Sequence, residues 1–154
     1  MFHIVLFEPE IAPNTGNIMR LAANAGARLH LVRPLGFVLN DKTLLRAGMD
    51  YRDRSRLTVH DDWQACRTAL DGKRLFALTT KGETRYDHAA FRADDVFLFG
   101  PESRGLPAEV LGLLTPERRL RVPMQGGNRS INLANTVGIV VYEAWRQNAF
   151  DGGV

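Results

Sequence analysis

The sequence predicts a single α/β domain built around a parallel β-sheet. Short runs rich in β-branched and aromatic residues alternate with stretches whose apolar residues recur at helical spacing, and strands separated by helices form parallel sheets. A length of 154 residues with 45% hydrophobic and 24% charged residues suits one globular domain. We expect this domain to span residues 1–154, with a short flexible tail over about residues 149–154.

Strand and helix patterns follow one another along the whole chain. The first helix is expected to begin after Asn14, because Pro9 and Pro13 disfavour a helix before it and asparagine is a good N-cap. The predicted strands are Phe2–Phe7, Leu29–Val32, Leu57–His60, Lys73–Thr79, Val96–Phe99 and Arg118–Val122, and the predicted helices are Thr15–Ala27, Asp61–Leu70, Ala108–Leu114 and Ser130–Gln147.

Two glycine-rich turns follow predicted strands in the last third of the chain. One reads F-G-P-E-S-R-G-L-P over Phe99–Pro107, and the other reads P-M-Q-G-G-N-R-S over Pro123–Ser130. Ligands bind beyond the carboxyl ends of parallel strands, and glycine lets the backbone approach a ligand closely. We therefore expect a small polar ligand between these turns and the strand end at Leu78–Lys81. Ser130 is expected either to contact this ligand or only to cap the last helix.

The sequence lacks the signatures of several common ligand sites. The first turn carries only Gly16, which excludes the G-x-G-x-x-G dinucleotide motif, and Gly100–Leu106 lacks the lysine and hydroxyl of a phosphate-binding loop. Ser103 does not have the G-x-S-x-G spacing of a nucleophile elbow. The four histidines are scattered singly, so we expect packed or surface residues and no metal site: His3, His30, His60 and His88.

Cysteine content and hydropathy bear on the compartment. A single cysteine, Cys66, cannot form an internal disulfide and fits a reducing environment. The longest apolar stretch, Val137–Tyr142, is far shorter than the ~20 residues that a membrane span needs. The start of the chain lacks the basic region of a signal peptide. We expect a cytoplasmic protein with no membrane partner.

The charge pattern leaves two explanations open. The net charge is +3, and all but three of the 20 basic residues are arginines. Arginine binds phosphate bidentately and stacks on bases, which suits a nucleic-acid partner, but a GC-rich genome produces the same excess. If the segment Tyr51–Arg56 is extended, its three arginines point to one side; a solvated surface segment is the alternative.

The first predicted helix carries a polar stripe. Asn17, Arg20 and Asn24 fall on the face opposite the apolar residues of the helix. Because Arg20 follows the carboxyl end of the first strand, it is a candidate for holding phosphate or a substrate oxygen. The alternative is a plain solvated face.

Three motifs, in this order, resemble those of the SPOUT superfamily of knotted RNA 2'-O-ribose methyltransferases. They are N-T-G-N-I-M-R at Asn14–Arg20, F-G-P-E-S-R-G-L-P at Phe99–Pro107, and P-M with R-S-I-N-L-A-N within Pro123–Asn135. Two further segments are similar to the small single-domain type that methylates the wobble nucleotide of leucine tRNAs: R-A-G-x-D-Y at Arg46–Tyr51 and V-V-Y-E-A-W-R-Q at Val140–Gln147.

The resemblance implies a fold, a methyl donor and a set of site residues. It implies a carboxyl-terminal trefoil knot that binds S-adenosylmethionine, with no metal. The matching cofactor contacts are Leu78, Gly100, Val122 and Ser130, with Met124 lining the same pocket. Arg20 matches the catalytic arginine, as a general base or, since a guanidinium gives up a proton reluctantly, as an anchor for phosphate and developing charge. Glu102 is expected either to bind ligand or partner loop, or to fix Arg104.

The last helix indicates a dimer. Between Ile131 and Trp145 apolar residues lie nearly all round, so one face needs a cover beyond its own sheet. The resemblance implies a homodimer with each active site near the interface, where Arg129 and Tyr142 would reach bound tRNA.

Two alternative functions stay open. One is a methyltransferase of ribosomal RNA, although many of those relatives carry an extra amino-terminal RNA-binding domain. The other is a non-catalytic RNA-binding dimer. The joint presence of Arg20, Gly100 and Ser130 argues against it, because RNA binding alone does not require a cofactor loop.

Overall fold

The computed structural model describes residues 1–46 and 56–154. The strands are β1 (His3–Phe7), β2 (Arg28–Val32), β3 (Leu57–His60), β4 (Leu75–Leu78), β5 (Thr84–Arg85), β6 (Val96–Phe99) and β7 (Arg119–Arg121). The helices are α1 (Ala12–Asn24), α2 (Asp41–Arg46), α3 (Trp63–Ala69), α4 (Ala108–Leu111) and α5 (Leu133–Gln147), with 3₁₀ turns at Tyr86–His88 and Pro116–Arg118. Apart from Arg46 and Arg56, the predicted arginine-rich segment Tyr51–Arg56 and the motif at Arg46–Tyr51 lie outside the described residues.

The strands of the described residues form one parallel sheet, in the order β3-β2-β1-β6-β4-β7-β5. This confirms the predicted single-domain α/β class. The last strand, β7, lies between β4 and β5, which both precede it in the chain. The carboxyl ends of β6, β4 and β7 are consequently side by side at one edge of the sheet.

Helices cover both faces of this sheet. On one face Ile4 and Leu6 of β1 pack with the apolar sides of α1 and α5. On the other face Val5 and Phe7 pack with α3 and α4, in a layer that includes the buried Cys66. Burial raises the pKa of the Cys66 thiol to about 12, as expected of a packing residue. Because both faces are buried, the strands read as continuous apolar runs.

Helix α1 begins three residues earlier than predicted. Pro13 lies in its first turn, where no backbone N–H is needed and proline is tolerated. The expected Asn14 cap is therefore wrong. The N-cap residue is Ile11, which has no capping side chain. The Glu102 carboxylate accepts hydrogen bonds from the backbone N–H groups of Glu10 (2.8 Å) and Ile11 (3.2 Å), in the turn just before the helix.

Helix α5 begins three residues later than predicted. Its N-cap is Asn132, whose side-chain oxygen accepts hydrogen bonds from the backbone N–H groups of Ala134 (2.9 Å) and Asn135 (3.3 Å). The interpretation of Ser130 as a helix cap is therefore wrong, because Ser130 lies in the loop before the cap.

Helix α2 and strand β5 were not predicted. The start of α2 carries a reciprocal capping pair: Thr43 N–H donates to the Asn40 side chain (2.9 Å), and Asn40 N–H donates to the Thr43 hydroxyl (3.0 Å). The sequence N-D-K-T is thus a signal that could have located this helix. β5 has two residues and no apolar run, so no pattern marks it.

Helix α5 is the longest described helix, with 15 residues. No helix within residues 1–46 and 56–154 is long and apolar enough to cross a membrane. After α5 the chain folds back: the Trp145 indole N–H donates to the Asp151 carbonyl (3.0 Å), and its ring contacts Phe150 with centroids 5.4 Å apart. The flexibility expected of residues 149–154 stays a prediction.

Candidate functional site

A cleft of about 830 Å³ opens at the carboxyl edge of the sheet. Its walls are the loops that follow β4, β6 and β7, together with the start of α1. Because these three strands are neighbours, their ends converge as the sequence predicts. The volume is within the range typical of small-molecule sites.

Most of the predicted site residues lie in this cleft. Its lining includes Leu78, Gly100, Val122, Met124, Arg129 and Ser130. The lining combines apolar side chains with hydroxyl groups and with backbone of the glycine-rich loops. This mixture suits a ligand that has a flat apolar part and several polar groups. The contact of each residue with a ligand stays a prediction.

The loop after β6 closes tightly on Gly100. A Cβ atom at this position would lie 2.5 Å from the Gly105 carbonyl carbon and 2.5 Å from the Leu106 nitrogen. Gly105 itself has a φ of +68°, a conformation that favours glycine. Side chains at these two positions would open the loop that forms one wall of the cleft.

Gly82, next to the cleft residue Lys81, marks a chain crossing that sequence reasoning missed. A Cβ atom on Gly82 would lie 2.5 Å from the Leu120 carbonyl carbon, so the chain after β4 passes directly against β7. The Thr79 N–H donates to the Leu120 carbonyl (2.9 Å) within the same crossing. The only sequence signal is a glycine shortly after a strand end.

Glu102, Asn14 and Asn132 join the three motif loops. The Asn14 Nδ2 donates to Glu102 Oε1 (3.3 Å), and Asn132 Nδ2 donates to Asn14 Oδ1 (3.0 Å). With the two backbone N–H groups that Glu102 also binds, this network fixes the start of α1 against the loops after β6 and β7. All three residues line the cleft.

Of the two alternatives for Glu102, the one in which it fixes Arg104 is wrong. Arg104 instead forms ion pairs with Glu8 and, at 3.5 Å, with Glu10. The Ser103 hydroxyl donates to the Glu10 carboxylate (2.7 Å). Glu102 binds the segment before and at the start of α1. Ser103 and Arg104 bind Glu8 and Glu10, so the loop after β6 contacts residues 8–14 at two places.

Arg20 and Tyr142 lie elsewhere. The predicted polar stripe of α1 is confirmed, since Asn17, Arg20 and Asn24 are all exposed. Tyr142 on α5 is 42% exposed, and its ring contacts Trp145 with centroids 5.6 Å apart. Neither Arg20 nor Tyr142 is among the described residues that line the cleft.

Three of the four histidines form a row, which the sequence did not indicate. His3, His30 and His60 lie on β1, β2 and β3 and are each under 10% exposed. The His3 Nδ1 to His30 Nε2 distance is 3.0 Å, and the His30 Nδ1 to His60 Nε2 distance is 3.0 Å. In the described part of the chain, no group of His, Cys, Asp and Glu is arranged to hold a metal ion.

Comparison with protein families agrees with the motifs. The conserved sequence pattern of the SpoU rRNA methylase family matches residues 1–142 of this chain. The chain belongs to this family. The resemblance to SPOUT methyltransferases, which was based on three short motifs, is therefore confirmed over nearly the whole chain.

Individual members of the SpoU family are similar along their length. The chain is 58% identical over 154 residues to a protein from Methylovorus glucosotrophus named tRNA (cytidine(34)-2'-O)-methyltransferase, with 100% of both chains covered. A solved structure described as concerning the 2-OH methylation of C/U34 on tRNA is 49% identical, with a TM-score of 0.90 and 97% of each chain covered. An AdoMet-bound rRNA methyltransferase from Sinorhizobium meliloti is 27% identical, with a TM-score of 0.80, covering 94% of this chain and 56% of that one.

Proposed function

We propose that this protein transfers a methyl group from S-adenosylmethionine to the ribose 2'-hydroxyl of wobble nucleotide 34 in tRNA. The observation that carries this proposal is the 58% identity, over the full length of both chains, to a tRNA (cytidine(34)-2'-O)-methyltransferase. Identity to an rRNA methyltransferase is only 27%, against 58% to the tRNA enzyme, which favours tRNA over rRNA. A cytoplasmic enzyme acting on leucine tRNAs is the form to test first.

The cleft fits the methyl donor. S-adenosylmethionine, when bound, supplies an electrophilic methyl group on a sulfonium. The apolar Leu78 and Val122 suit an adenine ring, and Met124 lines the same wall. The closed loop at Gly100 and the hydroxyl of Ser130 both line the cleft and offer polar contacts to the ligand. No metal ion is needed for this transfer.

The chain's own residues then have to position the acceptor. A ribose hydroxyl is a poor nucleophile, and correct alignment can contribute several kcal/mol to the rate. In the proposal Arg20 binds the phosphate next to the target ribose. It also stabilises the negative charge that develops on the 2'-oxygen of that ribose. A guanidinium is a better anion anchor than a base, because it holds its protons tightly.

Arg20 is not one of the described residues that line the cleft of its own chain. In a homodimer it would reach the cleft of the partner. Exposed Ile139 (37%) and Tyr142 (42%) lie on α5, which packs beside α1 and its exposed Arg20. Pairing of two copies through this surface would cover the apolar residues and place Arg20 beside the partner's site. Arg129 on the cleft wall and Tyr142 are then the candidates for contact with tRNA.

A carboxyl-terminal trefoil knot is part of the same proposal. Its support is the insertion of β7 between the earlier strands β4 and β5, and the close passage of Gly82 over Leu120. Ordinary folds avoid threading of this kind. The single domain over residues 1–154 with a short mobile tail belongs to the proposal as well.

Methylation of purified RNA tests the function. The protein is incubated with S-adenosylmethionine and unmodified leucine tRNA, and 2'-O-methyl nucleosides are mapped by nuclease digestion and mass spectrometry. Methylation confined to nucleotide 34, and lost in Arg20→Ala with cofactor affinity retained, is expected. Methylation of ribosomal RNA fragments instead would contradict the substrate, and RNA binding without methyl transfer would favour a non-catalytic dimer. Near-full turnover in Arg20→Lys would contradict the bidentate role of the arginine.

A further inference from the structure

A second groove lies at the same edge of the sheet, beyond the ends of β2 and β3. Its volume is about 490 Å³, and its lining is Arg33, Pro34, Leu35, Phe37, Leu39 and Asp61. Arg33 directly follows β2 and Asp61 directly follows β3. None of these residues belongs to the three motifs or to the cleft already described.

Three side chains in this groove have no structural task within the described residues. Arg33 and Asp61 are exposed and form no ion pair there. Phe37 is half-buried, yet it belongs to neither core cluster and makes no ring contact there. Leu35 and Leu39, in contrast, pack against the core. The groove thus has an apolar floor, with an aromatic ring, a cation and a carboxylate available above it.

The groove shares a wall with the cleft. The Gly36 N–H donates to the Pro9 carbonyl (2.9 Å), and a Cβ atom on Gly36 would lie 2.7 Å from the Glu10 Cα. The other side of the same segment is bound by Glu102, and Ile11 lines the cleft. A polymer that leaves the cleft across this segment enters the groove directly.

We propose that this groove holds an unpaired nucleotide of the RNA substrate, next to the nucleotide that is methylated. This inference rests on the proposed function. Phe37 stacks on the base, Arg33 binds the adjoining phosphate, and Asp61 accepts a hydrogen bond from an N–H group on the base edge. Stacking on an aromatic ring beside a cation is how proteins bind single-stranded RNA, and a carboxylate reads donors on the base.

Affinity measurements on three variants test the stacking and the phosphate contact. Phe37→Ala is expected to weaken binding of the tRNA roughly 5- to 150-fold, the range found for loss of one stacked base, and Phe37→Tyr is expected to keep the wild-type affinity. Arg33→Ala is expected to weaken binding and to reduce its salt dependence. Affinity for S-adenosylmethionine should stay unchanged in all three variants. The matched control is Arg92→Ala, which removes an exposed arginine at the opposite edge of the sheet.

Abasic nucleotides, placed one at a time through the anticodon loop, identify the base. One abasic position should weaken binding to the wild-type protein and have no further effect in Phe37→Ala, because the ring that stacks on that base is already missing. Equal effects of every abasic position in both proteins would overturn the proposal. So would a change from dimer to monomer in Phe37→Ala, which would assign the groove to contact between copies. Failure of the proposed function is distinguishable, since the wild-type protein would then methylate no tRNA.

Discussion

Two polar clusters of this protein have similar hydrogen-bond lengths and opposite surroundings. The network of Glu102, Asn14 and Asn132 joins loops at the carboxyl edge and faces the cleft, with distances of 2.8–3.3 Å. The row of His3, His30 and His60 is sealed within the sheet. The first cluster determines the shape of a binding site. The second lies away from the cleft, and its His3 end contacts the Asp94 carboxylate at 3.7 Å, so its effect is expected on the stability of the fold.

The folded histidine row can bind only a limited number of protons. Each of its two nitrogen–nitrogen contacts has room for one hydrogen, and each end nitrogen of the row can carry one more. Three neutral rings already bring three hydrogens. The folded row can therefore accept one additional proton, whereas the unfolded chain takes up three.

The largest expected effect is a loss of stability in acid. Burial is the main cause that lowers the pKa values of His3, His30 and His60, that of His30 to about 3. Nearby Lys73 and Arg28 act in the same direction on His3, and Asp94 opposes them. Because these folded-state values lie below the unfolded value of 6.5, stability is complete above pH 6.5 and falls as the pH drops towards 3.

The unfolded chain binds two more protons than the folded one. The free energy of unfolding should therefore fall by about 2.7 kcal/mol per pH unit, or by about 5 kcal/mol between pH 6 and pH 4. Urea unfolding at half-unit pH steps measures this slope. A flat profile over that range would show that the row does not govern acid stability.

The next largest effect is expected at the carboxyl edge. In Glu102→Gln the neutral amide cannot replace the carboxylate that faces the Glu10, Ile11 and Asn14 donors. We expect kcat/KM for methyl transfer to fall roughly 10- to 150-fold, equivalent to about 1.5–3 kcal/mol for a charged hydrogen-bonding group. Glu109→Gln, at an exposed position on α4, is the matched control. Unchanged activity in Glu102→Gln would place the network outside the mechanism.

A smaller effect on acid stability is expected when one histidine of the row is replaced. His60→Gln removes one titrating ring, so the unfolded chain takes up two protons and the remaining pair accepts one. The acid slope is expected to halve, to about 1.4 kcal/mol per pH unit, while activity at pH 7.5 stays at the wild-type level. The exposed His88 provides the control, and His88→Gln should leave the slope unchanged.

The smallest effects come from a matched pair of helix caps. Asp62 caps α3 through a 2.7 Å hydrogen bond from the Ala65 N–H, and Asn132 caps α5. Replacing either with alanine is expected to lower the free energy of unfolding by about 1 kcal/mol. Only Asn132→Ala should also reduce methyl transfer, because Asn132 binds Asn14 in the network. Equal activity of the two variants would remove the functional difference between the two regions.

Local patterns predicted much of the fold. The strands Leu57–His60 and Val96–Phe99 were predicted with their observed bounds, since a short apolar run flanked by polar residues marks a strand in any context. Helix starts were predicted less well. The turn that leads into α1 is bound by Glu102, a carboxylate on a loop some ninety positions later in the sequence.

The sequence by itself determined the parallel α/β class, the three strand ends that meet at the cleft and the motifs of the family. Each of these depends on residues that are close together in the chain or on the rule that parallel strands end at one edge. Only the tertiary structure decided the histidine row, the groove at Phe37 and the partners of Glu102. Asn14 binds Glu102 across 88 positions and Asn132 across 118 positions. Contacts between residues so far apart leave no periodic trace, because they arise only when separate loops and strands pack together.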